Sequence, residues 1–370
     1  MSRLLLVGAG HAHAQVLRDW IDAPVRGTEL VVVSPSALAP YSGMVPGWLA
    51  GQYRYDEICI DFAALAAAAG ARLIVDELIQ LDPDLRQVRL RSGLALDYDV
   101  LSLNVGSTLN PPASGTGKTL CLRPLSALHQ AWDALLDDLA HAMSDAPLQV
   151  TAVGGGAAGV EAMLAALHRL RLLQPGRPVQ AALLSRGTTL LEGLAPGAMA
   201  AAHAALAAAG VLVRLDTAFS ELAARPGDLL LWATGAEAHA WQRCSGLAVS
   251  ARGFICVDRC LRSVSHPQVH AAGDCAEWAE PLPKAGVYAV RMGPVLGRNL
   301  RAALASRAPS EYVPQRRFLM LLSTGDGRAI ASWGRWSAQG RWVWRWKDRI
   351  DRGFLKRFAV DIGSARRSNP

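Results

Sequence analysis

Residues 147–164 read PLQVTAVGGGAAGVEAML: an apolar run, a cluster of glycines, then an alanine-rich segment with helical spacing. Gly154, Gly156 and Gly159 complete a GxGxxG arrangement. That arrangement needs small residues for a tight strand-to-helix turn, for close backbone approach to a pyrophosphate, and for close packing of helix on strand. The flanks supply the context the motif requires, because an apolar strand precedes it and a helical pattern follows to about residue 173. A dinucleotide site on this helix N-terminus is expected.

The chain opens on an imperfect echo of this stretch. VGAGHAHAQVL, residues 7–17, carries Gly8 and Gly10 but has His13 where the third glycine belongs. Alone it is weak evidence, and an ordinary glycine turn fits it too. As a repeat of the later stretch it organises the chain. Residues 3–7 and 29–33 read as buried strands around a helix at 11–20, the start of a βαβ unit with a parallel sheet. Residues 39–51 read as an ordered loop with a short helical turn, 57–69 as a stretch that contains an alanine-rich helix, and 72–105 as an antiparallel excursion. Pro111, Pro112, Gly115 and Gly117 mark a linker around 106–124, before a helix at about 125–143.

Both units lack the carboxylate that NAD-binding units place on the ribose hydroxyls. The second strands end instead at Ser34 and Pro35, and at Ser185 and Arg186. Arg186 suits the 2′-phosphate of NADP, and suits a solvated strand end as well. Two further strands end in glycine turns: LLLWATGAE (229–237), with Thr234 and Gly235, and VHAAGDCAEW (269–278), with Gly273 and Asp274. Asp274 can meet a polyhydroxyl chain such as a flavin ribitol, or cap a helix.

Of the 370 residues 51% are hydrophobic and 19% charged, which excludes global disorder. The net charge of +7 is dispersed except near the C-terminus, and no nucleic-acid module accompanies it, so no nucleic-acid partner is expected. Six cysteines (59, 121, 244, 256, 260, 275) form no CxxC pair, which disfavours a zinc site; no metal is expected. The short LLLV run passes straight into the first glycine turn, and no apolar stretch has membrane-spanning length. A cytoplasmic setting is the expectation.

VGAGHAH, GGGAAGVE, ATG and AAGDC follow one another in an order that resembles the flavoproteins with two dinucleotide-binding domains, the pyridine nucleotide-disulfide oxidoreductase superfamily. The resemblance implies an α/β fold of two Rossmann-like domains. An FAD-binding domain would span 1–112 and 245–308, an inserted NAD(P)-binding domain 113–244, and a C-terminal region 309–370. It implies FAD as cofactor and NADH or NADPH as co-substrate. Gly8, Gly10, His11 and His13 would form the FAD pyrophosphate turn, with Ser34, Pro35 and Gly106 nearby and Gly273 and Asp274 at the ribitol. Gly154, Gly156, Gly159, Arg186, Thr234 and Gly235 would serve the pyridine nucleotide.

Within the superfamily the chain looks most like type II NADH dehydrogenase-like proteins of the subgroup associated with selenide water dikinase. GAGHAH, VSPSALAPYSGMVPGWLAGQY, PKAGVYAVRMGPVLGRNL and GRWVWRWKDRIDRGFLKRF carry that likeness. The subgroup commonly has histidine at the position of His13, where packing rather than phosphate approach is at stake. The likeness puts Glu161 beside the nicotinamide, although an acid facing the helix dipole reads the same. It puts Lys284 and Ala285 at a helix start near the flavin ring, where they stabilise negative charge, with Tyr41, Ser42 and Gly43 on the other side. Glu161 and Lys284 are the candidate catalytic residues.

Disulfide reductases of this kind place a cysteine pair where this chain has APYSGMVPG, and isolated Cys121 and Cys275 do not replace it, so dithiol substrates are disfavoured. The expected activity is electron transfer from NAD(P)H through flavin to a small acceptor, a quinone or a selenium-related compound. Met292 departs from the glutamine that quinone-reducing relatives often carry. The other reading is a flavin-loaded partner of selenide metabolism with little turnover, and a homodimer is in keeping with relatives.

In WGRWSAQGRWVWRWKDRIDRGFLKRF (333–358), Trp342, Trp346, Ile350 and Phe354 recur at helical spacing, as do Arg345, Arg349, Arg352 and Lys356. An amphipathic helix with a basic face is expected, interrupted only by Gly353. It is open to three roles: peripheral contact with the inner face of a membrane, packing on its own core, or docking a partner such as the dikinase.

Overall fold

A computed structural model describes residues 1–111, 118–141, 146–219, 228–315 and 317–360. The linker marks Pro112, Gly115 and Gly117, the expected domain boundary at 112/113, and the end of the helix expected to 143 lie outside the described residues.

The strand Ser2–Val7 shows how the first domain is built. Leu4 and Leu6 enter one core with Ala12, Val16 and Leu296, while Leu5 and Val7 enter another with Val88, Leu101 and Ile255. A strand buried on both faces reads as continuous apolar sequence, which is why LLLV carries no alternation. This strand is the centre of a five-stranded parallel sheet in the order Val269–Ala271, Val100–Leu103, Ser2–Val7, Thr28–Ser34, Arg72–Val75. The helices His11–Asp22 and Gly286–Leu304 cover one face.

A second five-stranded parallel sheet has the order Lys118–Cys121, Leu229–Trp232, Leu148–Val153, Val179–Leu184, Val211–Arg214. The helix Ala157–Leu173 packs on it. Two parallel, Rossmann-like sheets of this kind make the chain an α/β protein, and the two glycine turns occupy equivalent places at strand carboxyl ends.

One expectation needs correction. Arg72–Val75 joins the parallel sheet, so the antiparallel excursion is confined to Leu78–Asp82, Gln87–Leu90 and Ala95–Asp97. The alanine-rich helix expected within 57–69 is present as Phe62–Ala68, capped by the Asp61 side chain accepting from Ala64 N–H; Cys59–Asp61 before it pairs with Leu38–Pro40 as strand. Residues 320–340 form a three-stranded antiparallel sheet, Met320–Ser323, Ala329–Trp333 and Trp336–Gly340, that composition did not signal.

The expected C-terminal helix forms, Arg341–Lys356, and runs through Gly353; of its three open roles, packing of the apolar stripe on this chain's own core is met only in part. Trp342, Trp346 and Ile350 are 54, 36 and 41% exposed, and Val343, Lys347, Asp351 and Phe354 are buried. Of the stripe, only Phe354 reaches the core. A cation and a carboxylate occupy the buried face instead, because they pair with each other and with polar groups of the site described next.

Candidate functional site

Gly8 has φ +101°, and a Cβ there would lie 2.4 Å from the Asn104 carbonyl oxygen; one on Gly10 would meet the Asn104 side chain. Glycine is required at both for the strand ends to approach. Asn104 Oδ1 accepts from Ala12 N–H (3.1 Å) and His13 N–H (3.3 Å), and its Nδ2 donates to Ala272 O (2.6 Å). One side chain thus ties the first turn to two neighbouring strands.

His13 is fully buried, with Nδ1 2.7 Å from Gly8 O and Nε2 2.8 Å from Ser102 Oγ. A carbonyl only accepts, so Nδ1 carries the proton and Nε2 accepts from the Ser102 hydroxyl. Burial lowers its pKa to about 4, keeping that tautomer neutral. The larger side chain replaces glycine packing with two hydrogen bonds. His11, its pKa also lowered to about 4 by burial, meets the edge of Tyr41 at 5.4 Å.

Beyond the first turn, at the end of the neighbouring strand Val269–Ala271, Asp274 lies in a short 3-10 turn, Gly273–Cys275, not at a helix cap. Its carboxylate accepts from Arg123 Nη1 and, at 3.4 Å, from Ser107 Oγ beside Gly106. Arg123 Nη2 also donates to Lys284 O (3.1 Å). Lys284 Nζ donates to Ala276 O (2.6 Å) and stands 3.8 Å over the Phe254 ring, just before Ala285 caps the helix Gly286–Leu304. Gly286 comes within 2.8 Å of Ser42 Oγ, measured from an added Cβ, so the 41–43 loop and this helix start do converge. Met292 is buried, its sulfur accepting from Gly273 N–H at 3.3 Å. Ser34 is buried at its strand end and Pro35 follows it; Ser34 Oγ accepts from Ser36 N–H.

At the second turn, Gly154 has φ +130° with an added Cβ 2.3 Å from Ala233 O, beside Thr234 and Gly235, and Gly159 packs on Gly154 O. Gly156 faces open space, and the helix Ala157–Leu173 starts there without a side-chain cap. A cavity of about 310 Å³ lies before these free N–H groups, lined by Gly155, Gly156, Ser185, Thr189, Glu192 and Met320. An anionic diphosphate suits such a cradle. Arg186 is exposed, and Ser185 Oγ accepts from Gly187 N–H.

Glu161 lies beyond the first turn of its helix, which removes the dipole explanation. Its Oε1 accepts from Ser323 N–H at 2.7 Å. Burial raises its pKa to about 7, against the opposing Lys347 charge. Lys347 Nζ donates to Asp351 Oδ2 (2.6 Å) and to Gly43 O, and Tyr41 lies beside Asp351. Burial raises Asp351 above the usual carboxylate range. Tyr41 also packs on Phe354 at 4.5 Å between ring centres. The nucleotide-domain helix, the 41–43 loop and the C-terminal helix therefore share one buried polar cluster.

Of the sequence candidates, Glu161, Tyr41 and Gly43 come together here, while Asp274, Gly106 and Lys284 form the second group. Asn104, Ser107, Arg123, Lys347 and Asp351 were not foreseen. Cys59, Cys121 and Cys275 are not activated thiols: burial pushes Cys59 up to about 12 and Cys275 up to about 11, and raises Cys121.

A family profile described as pyridine nucleotide-disulphide oxidoreductase matches residues 2–293. The chain is similar to ferroptosis suppressor protein 1 of Taeniopygia guttata, 24% identical over 289 residues that cover 72% of this chain and 73% of that protein. Among solved structures it is similar to the sulfide:quinone oxidoreductase of the hyperthermophilic bacterium Aquifex aeolicus (TM-score 0.76, 15% identity, 97% of this chain and 91% of that one). It is also similar to NDH2 of Plasmodium falciparum in complex with NADH (TM-score 0.75, 13% identity, 100% and 99%). With the two glycine turns in place and the profile spanning both sheets, the chain belongs to the pyridine nucleotide-disulphide oxidoreductase family, whose members are oxidoreductases that depend on FAD and NAD(P).

Proposed function

We propose that the chain oxidises NAD(P)H and reduces a lipophilic, quinone-type acceptor at a membrane surface without a redox disulfide. FAD, when bound, supplies the two-electron relay between the two substrates. The first glycine turn and the group of Ser107, Arg123, Asp274 and Lys284 would hold it, and the second turn would hold the nucleotide.

The observation that carries this reading is the cluster of Glu161, Lys347, Asp351 and Tyr41. NAD(P)H gives up two electrons with one proton, whereas a quinone takes up two protons on reduction to the quinol. One further proton must come from the protein or solvent in each turnover. Burial raises the Glu161 pKa to about 7, into the range where a carboxyl both takes up and releases a proton near neutral pH, which suits that transfer. Lys347 balances the charge left behind, and Asp351 and the Gly43 carbonyl hold Lys347 in place.

The C-terminal region supports the surface. Trp333 and Trp336 are 48 and 49% exposed, alongside Trp342, Trp346 and Ile350, and Arg335, Arg341, Arg345 and Arg349 stand among them. Exposed indoles with interspersed cations match the interface of an anionic bilayer. No helix among the described residues is long and apolar enough to cross one. Partnership with a selenide water dikinase rests on the quoted segments alone, and mixing the two purified proteins tests it.

The test is steady-state oxidation of NADH and NADPH with decylubiquinone, with and without anionic vesicles. Quinone-dependent turnover is expected, with Glu161→Gln about 10²-fold slower or worse. No quinone-dependent turnover from FAD-loaded protein with either nucleotide would overturn the reading.

A further inference from the structure

Away from both glycine turns, a trough of about 740 Å³ runs between the later turns of the helix Ala157–Leu173, the helix Pro196–Ala208 and the C-terminal antiparallel sheet. Its size lies within the ~300–1,000 Å³ typical of small-molecule sites and exceeds that of the nucleotide cavity. The floor is apolar, formed by Leu164, Leu167, Ala201, Ala205 and Ile330. Gly325, at φ +79°, lets the hairpin turn lie against the long helix, where an added Cβ would stand 2.8 Å from Leu164 O. That backbone contact fixes the inner end of the trough.

The rim is cationic. Arg171, Arg328 and Arg341 line it, and none of them joins an ion pair among the described residues. Arg171 gives Nη2 to Ala209 O and keeps its remaining donors. The lining carboxylate, Asp326, is committed to its own turn, accepting from Thr324 Oγ1 (2.5 Å) and Arg328 N–H (3.2 Å). An apolar channel bordered by unpaired guanidinium groups complements a molecule that is hydrocarbon along its length and anionic at one end.

We propose that this trough binds a single-chain amphiphile with a carboxylate head, of the fatty-acid class, its chain along the Leu164–Ala205 floor and its head on the arginine rim. This site is separate from the redox centre and stands whether or not the proposed quinone reaction is correct.

The experiment is displacement of dansyl-undecanoic acid from FAD-loaded protein, without vesicles, by laurate and by dodecanol. Saturable binding is expected, with laurate competing at least tenfold better than dodecanol. Ala205→Trp, which fills the trough, and Arg328→Glu, an exposed change that keeps the test valid if the tryptophan variant fails to fold, should each weaken probe binding at least tenfold. Trp346→Ser, on the exposed indole patch, should leave it unchanged. No saturable binding, equal competition by dodecanol, binding unaffected by Arg328→Glu, or binding lost with Trp346→Ser would each overturn the proposal.

Discussion

Lys347→Met removes the cation that serves two carboxyl groups at once. The Lys347 and Asp351 side chains are 8 and 7% exposed and 2.6 Å apart, so the lone carboxylate left behind would be buried without a counter-charge. Breaking such a pair costs about 3–5 kcal/mol, whereas replacing both partners by apolar groups of similar size is often near neutral. The double variant Lys347→Met/Asp351→Leu still leaves the Gly43 carbonyl without the lysine donor, at about 1–3 kcal/mol, so it should recover part of the loss. Chemical denaturation followed by tryptophan fluorescence measures both. The same lysine opposes the burial that raises Glu161, so in Lys347→Met the Glu161 pKa should climb above about 7. The limb of the acceptor-reduction pH profile that depends on Glu161 should move to the alkaline side by ~1 pH unit or more. A single variant as stable as the parent, a double variant no better than the single, or an unmoved pH profile would refute the reasoning.

Other consequences follow from named groups. His13 and His270 are fully buried and His11 is partly buried, and desolvation lowers the pKa of each to about 4. A folded-state pKa below the unfolded value near 6.5 means that the unfolded chain binds protons first, so stability present above pH 6.5 should be lost as pH falls toward 4. Three such groups give at most about 4 kcal/mol per pH unit, measurable by urea unfolding between pH 7 and 5. At the nucleotide turn, a contact between the exposed Arg186 and a 2′-phosphate predicts that Arg186→Gln lowers kcat/KM for NADPH about 10-fold or more and leaves NADH nearly unchanged, while equal effects on both nucleotides make Arg186 a solvated strand end. Trp342→Ser/Trp346→Ser should weaken binding to vesicles containing phosphatidylglycerol, read by flotation, while solution turnover with a short-chain quinone persists.

The α/β fold and the order of its nucleotide turns were legible because glycine is the one residue that fits a Cβ-free approach such as Gly154 to Ala233 O, and because buried parallel strands leave continuous apolar runs. His13 was readable as a packing position, and its two hydrogen bonds show how a large side chain meets that demand. The C-terminal helix was legible as a helix but not in its orientation. Periodicity sorts side chains by polarity and carries no sign that Lys347 and Asp351 are interior; their own pairing and the Gly43 carbonyl, some 300 residues earlier in the chain, make them so. Arg123 was hidden similarly, inside a stretch that reads as a linker, because its partner Asp274 is distant in sequence. Asn104 follows a buried strand without any local signal of the three hydrogen bonds it makes.

The most direct measurement of the central claim is anaerobic stopped-flow absorbance of the FAD-loaded protein near 450 nm (roughly the flavin band), mixed separately with NADH and NADPH and then with a quinone. Rapid bleaching by a reduced nucleotide and rapid recovery of colour on adding quinone are predicted, with recovery but not bleaching strongly slowed by Glu161→Gln. An absorbance unchanged by both nucleotides, or colour that fails to return with quinone, would contradict the account.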